Sequence, residues 1–438
     1  MSLDPREFFD RLDRSFPRAK FLIAYSGGLD SSVLLHLCAL GASIDKKRLL
    51  ALHVNHGLQT QSPDWAEHCV TTCAGLAVSC EVLTLKPFIE PGQSIEEAAR
   101  IARYRALAGM MRPGHVLLTA QHREDQAESV LLQLLRGSGL PGLSGMPESI
   151  EFGAGILHRP LLPVSRKCIR SFADAKGLNW IEDPSNADRA HDRNFLRQEI
   201  IPQMLERWPA MHQNLARSAK HCAEAQQIID RQVESWLRVV MDDAQDTVSI
   251  ENLAQFDDGA RRLILRHWIR TRGFRSPSTV KLREILREML EAAPDRCPIV
   301  DWANAQIRRY RGKLYLLSSM KPFDSRRVIE WSIRNPLVIA ELGGTLECEI
   351  AQDTGSLAEI PDIEVQVRFR NAGECCRIPG RQGSHTLKKI FQEKSIPPWE
   401  RGRIPLVYWA GELAAVGSLI VCTPFHELGL QCKWTLKS

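Results

Sequence analysis

Up to Pro202, short apolar runs alternate with longer stretches of helical spacing. Phe21 to Tyr25, Leu49 to Val54, Ser79 to Leu85 and His115 to Ala120 have the length and content of buried strands. Between them, Ser31 to Leu40, Ile95 to Met111 and Asp125 to Arg136 repeat apolar residues at helical steps. Strand followed by helix, repeated, predicts an α/β fold: a doubly wound parallel sheet that binds any ligand at the carboxyl ends of its strands. After Pro202 the texture turns to helix almost without strands, from Met211 to Met241 and from Asn252 to Ala292, the second stretch broken by Gly273 to Ser278. Ile299 to Leu317 and Val328 to Cys348 are strand-like again, and from Val365 onward Gly, Pro, aromatic and basic residues suit a small α+β domain. These shifts predict a catalytic domain at 1–210, a mostly helical domain at 211–320 and an α+β domain at 321–438.

Composition narrows the class. A chain of 438 residues with 44% hydrophobic and 25% charged content is long enough for several cores and ordinary enough to exclude collagen or wholesale disorder. No apolar run reaches the roughly 18 residues of a membrane span, and Met1 to Glu7 lacks the basic start and apolar stretch of a signal peptide, so the expected place is the cytoplasm, away from membranes. The twelve cysteines, scattered and without any C-x-x-C, are therefore expected as reduced thiols, which weakens zinc-ribbon and iron–sulfur readings. A net charge of +5 permits a nucleic-acid partner without requiring one. The basic series Arg261, Arg262, Arg266, Arg270, Arg272, Arg275, Lys281, Arg283 and Arg287, diluted by Glu284, Glu288 and Glu291, fits a solvated helical face or a phosphate-contacting one equally well.

The sharpest chemistry lies between the first strand and its helix, where Ala24 to Ser32 reads A-Y-S-G-G-L-D-S-S. Gly27 and Gly28 let the backbone approach an anion, Ser26, Ser31 and Ser32 add hydroxyl donors, and the N-terminus of the helix that follows offers free N–H groups. Together they form a phosphate cradle; Ser-Gly-Gly alone would be an ordinary turn. No G-x-x-x-x-G-K-[ST] string occurs, which disfavours kinase-like or P-loop chemistry. At the end of the second strand, His53 and Asn55 share a face and His56 follows in the turn, better suited to lining a nucleotide pocket than to a metal site. On a later helix Arg100 meets Arg103 and Tyr104, as a solvated basic face or around an anion.

Thr119 to Gly137 reads T-A-Q-H-R-E-D-Q-A-E-S-V-L-L-Q-L-L-R-G. Asp125 and Glu128 are one turn apart in the first turn of a helix, so both carboxylates face one site. Such a pair can hold an ammonium, help ligate Mg²⁺ or take a proton from an attacking amine; the plain alternative is a pair of helix-dipole partners. Gly137 to Gly142 satisfies G-x-G-x-x-G but ends a helix and contains Pro141, so it reads as a loop near the reacting base and not as a dinucleotide fingerprint. Further strings are Arg159 to Leu162, Glu182 to Asn186, and Arg193-Asn-Phe-Leu-Arg197, whose arginines share a helix face. In the last domain Lys388, Lys389, Arg401 and Arg403 lie near Phe391 and Trp399, a mixture suited to phosphate contact with base stacking, or to a small core.

The Ser26 to Ser32 string resembles the signature of the PP-loop ATP pyrophosphatases, which cleave ATP between the α- and β-phosphates and adenylate an oxygen. The strings at Leu52 to Leu58, Ala98 to Tyr104, Thr119 to Gly137, Arg159 to Leu162, Glu182 to Arg197 and Gly373 to Tyr408 resemble the lysidine-synthetase branch, with Glu124 where Asp is more usual. That resemblance implies ATP with Mg²⁺ as cofactors, an isoleucine tRNA with a CAU anticodon and L-lysine as substrates, and an adenylated wobble cytidine as intermediate. It implies that Ser26, Gly27, Gly28, Leu29, Asp30, Ser31, Ser32, His56 and His122 bind ATP, Asp30 also orienting metal or phosphate. Asp125 and Glu128 would bind and deprotonate lysine, Arg100 would contact the activated base or AMP, and Arg193, Arg197, Lys388, Lys389 and Arg401 would bind tRNA. A homodimer is compatible with the sequence. The alternatives are another PP-loop enzyme, such as a tRNA thiolase, and a tRNA-binding protein with a degenerate ATP fold.

Overall fold

The computed structural model describes residues 3–42, 46–57, 61–85, 95–183, 191–242, 246–293, 296–320, 322–350, 363–371 and 373–436. It divides into two compact units, Met1–Gln232 and Val233–Ser438.

In the first unit the elements are α1 (Pro5–Ser15), β1 (Lys20–Ala24), α2 (Leu29–Gly41), β2 (Leu49–Asn55), α3 (Ser62–Gly75), β3 (Ser79–Thr84), α4 (Ile95–Gly109), β4 (His115–Leu118) and α5 (Arg123–Leu135). They continue with α6 (Leu140–Leu143), β5 (Ser149–Phe152), β6 (Gly155–His158), α7 (Arg166–Ala175), α8 (Asp192–Phe195), a π-helical turn Leu196–Ile200, α9 (Ile201–Arg207) and α10 (Met211–Val240), whose last eight residues belong to the second unit. The sheet runs in the order β3-β2-β1-β4-β6-β5, parallel except for β5 on the edge. Alternation along β1 sorts its side chains: Phe21 and Ile23 join a core with α1, α2 and α7, whereas Leu22 packs with Leu107 and Met111 beyond the opposite face. Each such side chain, fully withdrawn from water, contributes roughly 1.5–3 kcal/mol. The helix starts are fixed locally: Asp4 accepts from Arg6 N and Glu7 N at 2.9 and 3.0 Å, and Ser165 accepts from Cys168 N at 3.3 Å. The doubly wound sheet expected from the apolar runs is present, with β1 and β4 adjacent at its centre.

The second unit contains helices Ile250–Ala254, Asp258–Thr271, which carries the fully buried Trp268, and Thr279–Glu291. They accompany a five-stranded antiparallel sheet, ordered Met241–Asp242, Thr247–Ser249, Lys313–Ser318, Ala305–Tyr310 and Ile299–Trp302. Two of these strands are only two or three residues long, too short to show period-two alternation. Many of the basic residues here have local partners: Arg261 pairs with Asp258, Arg272 with Asp246, Lys281 with Glu284 and Arg287 with Glu288. Towards the end of the chain come a five-stranded and a three-stranded antiparallel sheet, with helices Leu387–Glu393 and Pro398–Arg401.

One expectation needs correction. The cysteines are not all reduced: Cys348–Cys432 and Cys376–Cys422 are disulfides, and the other eight are free. Cys348 and Cys432 stand directly opposite each other on antiparallel strands Gly344–Ile350 and Leu430–Leu436, a juxtaposition set by sheet register and invisible in the spacing of 84 residues.

Candidate active site

The PP-loop connects β1 to α2. Gly27 takes φ +84°, a left-handed conformation that favours glycine, and a Cβ there would stand 2.5 Å from Ile181 Cδ1. Ile181 N donates to Gly27 O at 2.9 Å, tying the segment after α7 onto the loop. The serines brace the turn: Ser26 Oγ and Ser31 Oγ are 3.0 Å apart, Ser31 Oγ donates to Gly28 O at 3.0 Å, and Ser32 Oγ donates to Gly27 O at 3.3 Å. Gly28 is the N-cap of α2 and no side chain caps it, so the first N–H groups of that helix are available to an anion.

Asp30, in the first turn of α2, joins this loop to the neighbouring strand end. Its Oδ2 lies 3.7 Å from His122 Nε2, and His122, the N-cap of α5, is 3.4 Å from Asp125 Oδ2 and 3.1 Å by Nδ1 from Glu124 Oε2. Burial raises the Asp30 pKa, with Asp125 adding to the effect and His122 opposing it. For His122, burial disfavours charge, but the Glu124 bond and the charges of Asp125 and Asp30 outweigh it and raise the pKa. Glu124 is held at about 2: burial pushes up, but His122 and the N–H of Arg166, donating at 2.8 Å, pull down harder. The same contact places Glu124 on the N-terminus of α7.

Asp125 and Glu128 share one face of α5, as their spacing predicts, and Arg193 and Arg197 close on both. Arg193 reaches Glu128 Oε2 at 2.7 Å and Asp125 Oδ1 at 3.1 Å; Arg197 reaches Glu128 Oε1 at 2.6 Å and Asp125 Oδ1 at 3.1 Å. The Glu128 side chain is 2% exposed, so these are strong charge-assisted bonds in a low-dielectric setting. Burial works against the Arg197 charge, but Glu128 and Asp125 outweigh it and raise its pKa. The two arginines assigned to tRNA by resemblance are thus spent, in this state, on the carboxylates assigned to lysine. Spacing gave them a common helix face but could not say what that face meets; the π-helical turn Leu196–Ile200, rare and often at functional sites, aims Arg197 here.

His56 follows β2 and its Nε2 accepts from Arg103 Nε of α4 at 3.0 Å. Burial first, and then the Arg103 charge, hold it down to about 4, a neutral imidazole near neutral pH. Arg100 is exposed and lies over the Tyr104 ring at 4.9 Å. His53 is structural: it is buried against Tyr25 O at 3.0 Å. Leu58 and Pro184 to Asn186 lie outside the described residues. In the second unit Lys388 and Lys389 are exposed on the Leu387–Glu393 helix, whereas Phe391 is core. Arg401 bonds Ile396 O at 2.8 Å and Tyr310 Oη at 3.0 Å, and Trp399 packs edge-on against Tyr310 and Tyr315. Trp399 is half-buried there, with the Arg308 guanidinium 5.3 Å from its ring. Gln126, beside the carboxylates, escaped the sequence reading, although it stands within the D-Q-A-E string.

What the unit can do follows from this crevice: an anion cradle at the end of β1 and a carboxylate pair at the end of β4, bridged by Asp30 and His122. A PP-loop domain model matches residues 5–204, a TilS substrate binding domain model residues 249–315, and a TilS substrate C-terminal domain model residues 365–437. The chain is 43% identical over 406 residues to a tRNA(Ile)-lysidine synthase of Methylococcus capsulatus, covering 92% of each. To its counterpart in Coxiella burnetii it is 38% identical over 419 residues, covering 96% of this chain and 93% of the other. With this site and these relatives, the chain belongs to the tRNA(Ile)-lysidine synthase family.

Proposed function

We propose that the protein uses ATP to attach L-lysine to C2 of the wobble cytidine of an isoleucine tRNA with a CAU anticodon, releasing AMP and pyrophosphate. The observation that carries this reading is the single crevice joining the PP-loop, through Asp30 and His122, to Asp125 and Glu128. The PP-loop N–H groups and the α2 N-terminus hold the phosphates of ATP. The C2 oxygen of the base attacks the α-phosphorus and pyrophosphate leaves. A carboxylate of the Asp125 and Glu128 pair accepts a proton from the lysine ammonium, and the free amine attacks C2, expelling AMP with the former oxygen. Oδ1 of Asp30 is buried without a protein partner among the described residues, which fits a hard oxygen ligand for the Mg²⁺ that accompanies ATP and neutralises phosphate charge.

Thiolation, the runner-up, needs an accessible thiolate near the PP-loop. Cys69, whose sulfur neighbours Gly27, is buried and pushed up to about 12, which argues against it. The test combines purified protein, ATP, Mg²⁺, labelled lysine and the isoleucine tRNA transcript, with the methionine tRNA of the same anticodon as control. Label on the isoleucine tRNA with one AMP per lysine is expected, and Asp125→Ala should abolish transfer while tRNA binding stays near wild type. AMP release without attached lysine would refute the reading.

A further inference from the structure

The glycine-rich loop after α5 takes no part in the chemistry above, yet it is built closely. It leaves the helix at Gly137, Ser138 Oγ donates to Gln133 Oε1 at 2.6 Å, and at the far end Gln126 takes both backbone groups of Met146. Gln126 Nε2 donates to Met146 O at 2.9 Å and Met146 N donates to Gln126 Oε1 at 2.7 Å. Gln126 and Gln133 are two turns apart on one face of α5, so the loop runs back along the helix from its end to its first turn. Between the clips α6 is braced by Leu143 N to Gly139 O at 3.1 Å and by Ser144 Oγ to Leu140 O at 2.7 Å. Gly145 takes φ +64°, and a Cβ there would lie 2.7 Å from Gln126 Oε1, so only glycine leaves the amide its place. At the outer end of α5, Leu134 and Leu135 are 56% and 73% exposed and the Arg136 side chain 62%.

We infer that Gln126 is a positioning residue, clipping this loop into a fixed wall beside Asp125 and Glu128 against which the RNA substrate seats. The inference rests on the lysidine reading for the identity of that substrate. Where the loop leaves α5, the exposed Leu134 and Leu135 and the Arg136 guanidinium, 3.8 Å from Asp192, suit the two surfaces that RNA presents, base faces and phosphates. A clip set in the same helical turn as the carboxylates keeps the wall and the reacting groups in register. A loop held only at its ends by glycines would lose that registration.

The test compares wild type with Gln126→Met, which keeps the volume but neither hydrogen bond, with Gly145→Ala, which evicts the amide, and with the double variant. Loss of two ordinary hydrogen bonds should raise KM for tRNA about tenfold while KM for ATP stays unchanged, and the double variant should add nothing further. Hydrogen exchange at Met146 should quicken in all three; this readout holds whatever the enzyme turns over, so failure of the lysidine reading would appear separately as no lysine transfer by wild type. Should Gly145→Ala fail to fold, Gln126→Met alone decides. Faster exchange at Met146 with an unchanged tRNA KM would overturn the positioning role, and unchanged exchange would overturn the clip itself.

Discussion

Glu124 stands where three helices need it, accepting from the N–H that begins α7, facing His122 and lying 4.0 Å from His212 of α10. Its pKa of about 2 lies below the ordinary value of 4.5, so on acidification the unfolded chain takes up this proton first. The stabilisation is therefore fully present above the ordinary carboxylate range and is lost as pH falls toward the folded value. Urea midpoints of wild type and Glu124→Gln should differ most above about pH 5 and converge as pH falls toward about 2. A gap independent of pH would mean that Glu124 acts through shape alone. That Asp125 and Glu128 share a helix face was legible from their spacing, but a role for the pair came only with the resemblance, since first-turn acids are equally plain helix-dipole partners. Their guanidinium partners were legible only as a pair on a common face, since the fold brings Arg193 and Arg197 across more than sixty residues of chain.

Elements followed the apolar pattern wherever that pattern had length. Phe21 to Tyr25 predicted β1, observed at Lys20–Ala24, and Asp125 to Arg136 predicted α5, observed at Arg123–Leu135. The β5–β6 hairpin and the strands Met241–Asp242 and Thr247–Ser249 went unread, because two to four residues cannot carry a period and their pairing is a tertiary fact. The disulfides belong to the same class of information, Cys348–Cys432 being created by register between strands and Cys376–Cys422 by folding across 46 residues. Alkylation of the denatured, unreduced protein should label the eight free cysteines of the twelve, and prior reduction should raise the count to twelve. Twelve labels without reduction would show that both cysteine pairs stand side by side as unbonded thiols.

At the scale of the whole molecule, the cations assigned to tRNA by resemblance fall into two settings. In the second unit, Lys388 and Lys389 stand exposed above a helix face whose Leu387, Ile390 and Phe391 are core, while Arg401 is held by Tyr310 and Ile396. Lys388→Ala with Lys389→Ala should weaken tRNA binding and reduce the slope of log affinity against log salt by about 1.5, whereas Arg401→Ala should mainly destabilise the fold. An unchanged slope would remove the lysine pair from the tRNA surface. In the first unit Arg193 and Arg197 are turned inward, onto Asp125 and Glu128. A carboxylate pair already saturated by guanidiniums is a lock that opens only by exchange of partners. A bare diamine can displace the arginines but leaves two half-buried cations without counter-ions, whereas an amino acid offers an ammonium to the acids and a carboxylate to the freed arginines. The resting clasp thus screens for zwitterions, and cadaverine should compete with lysine far less well than ornithine or other diamino acids of similar reach; equal competition would show that the arginines simply step aside.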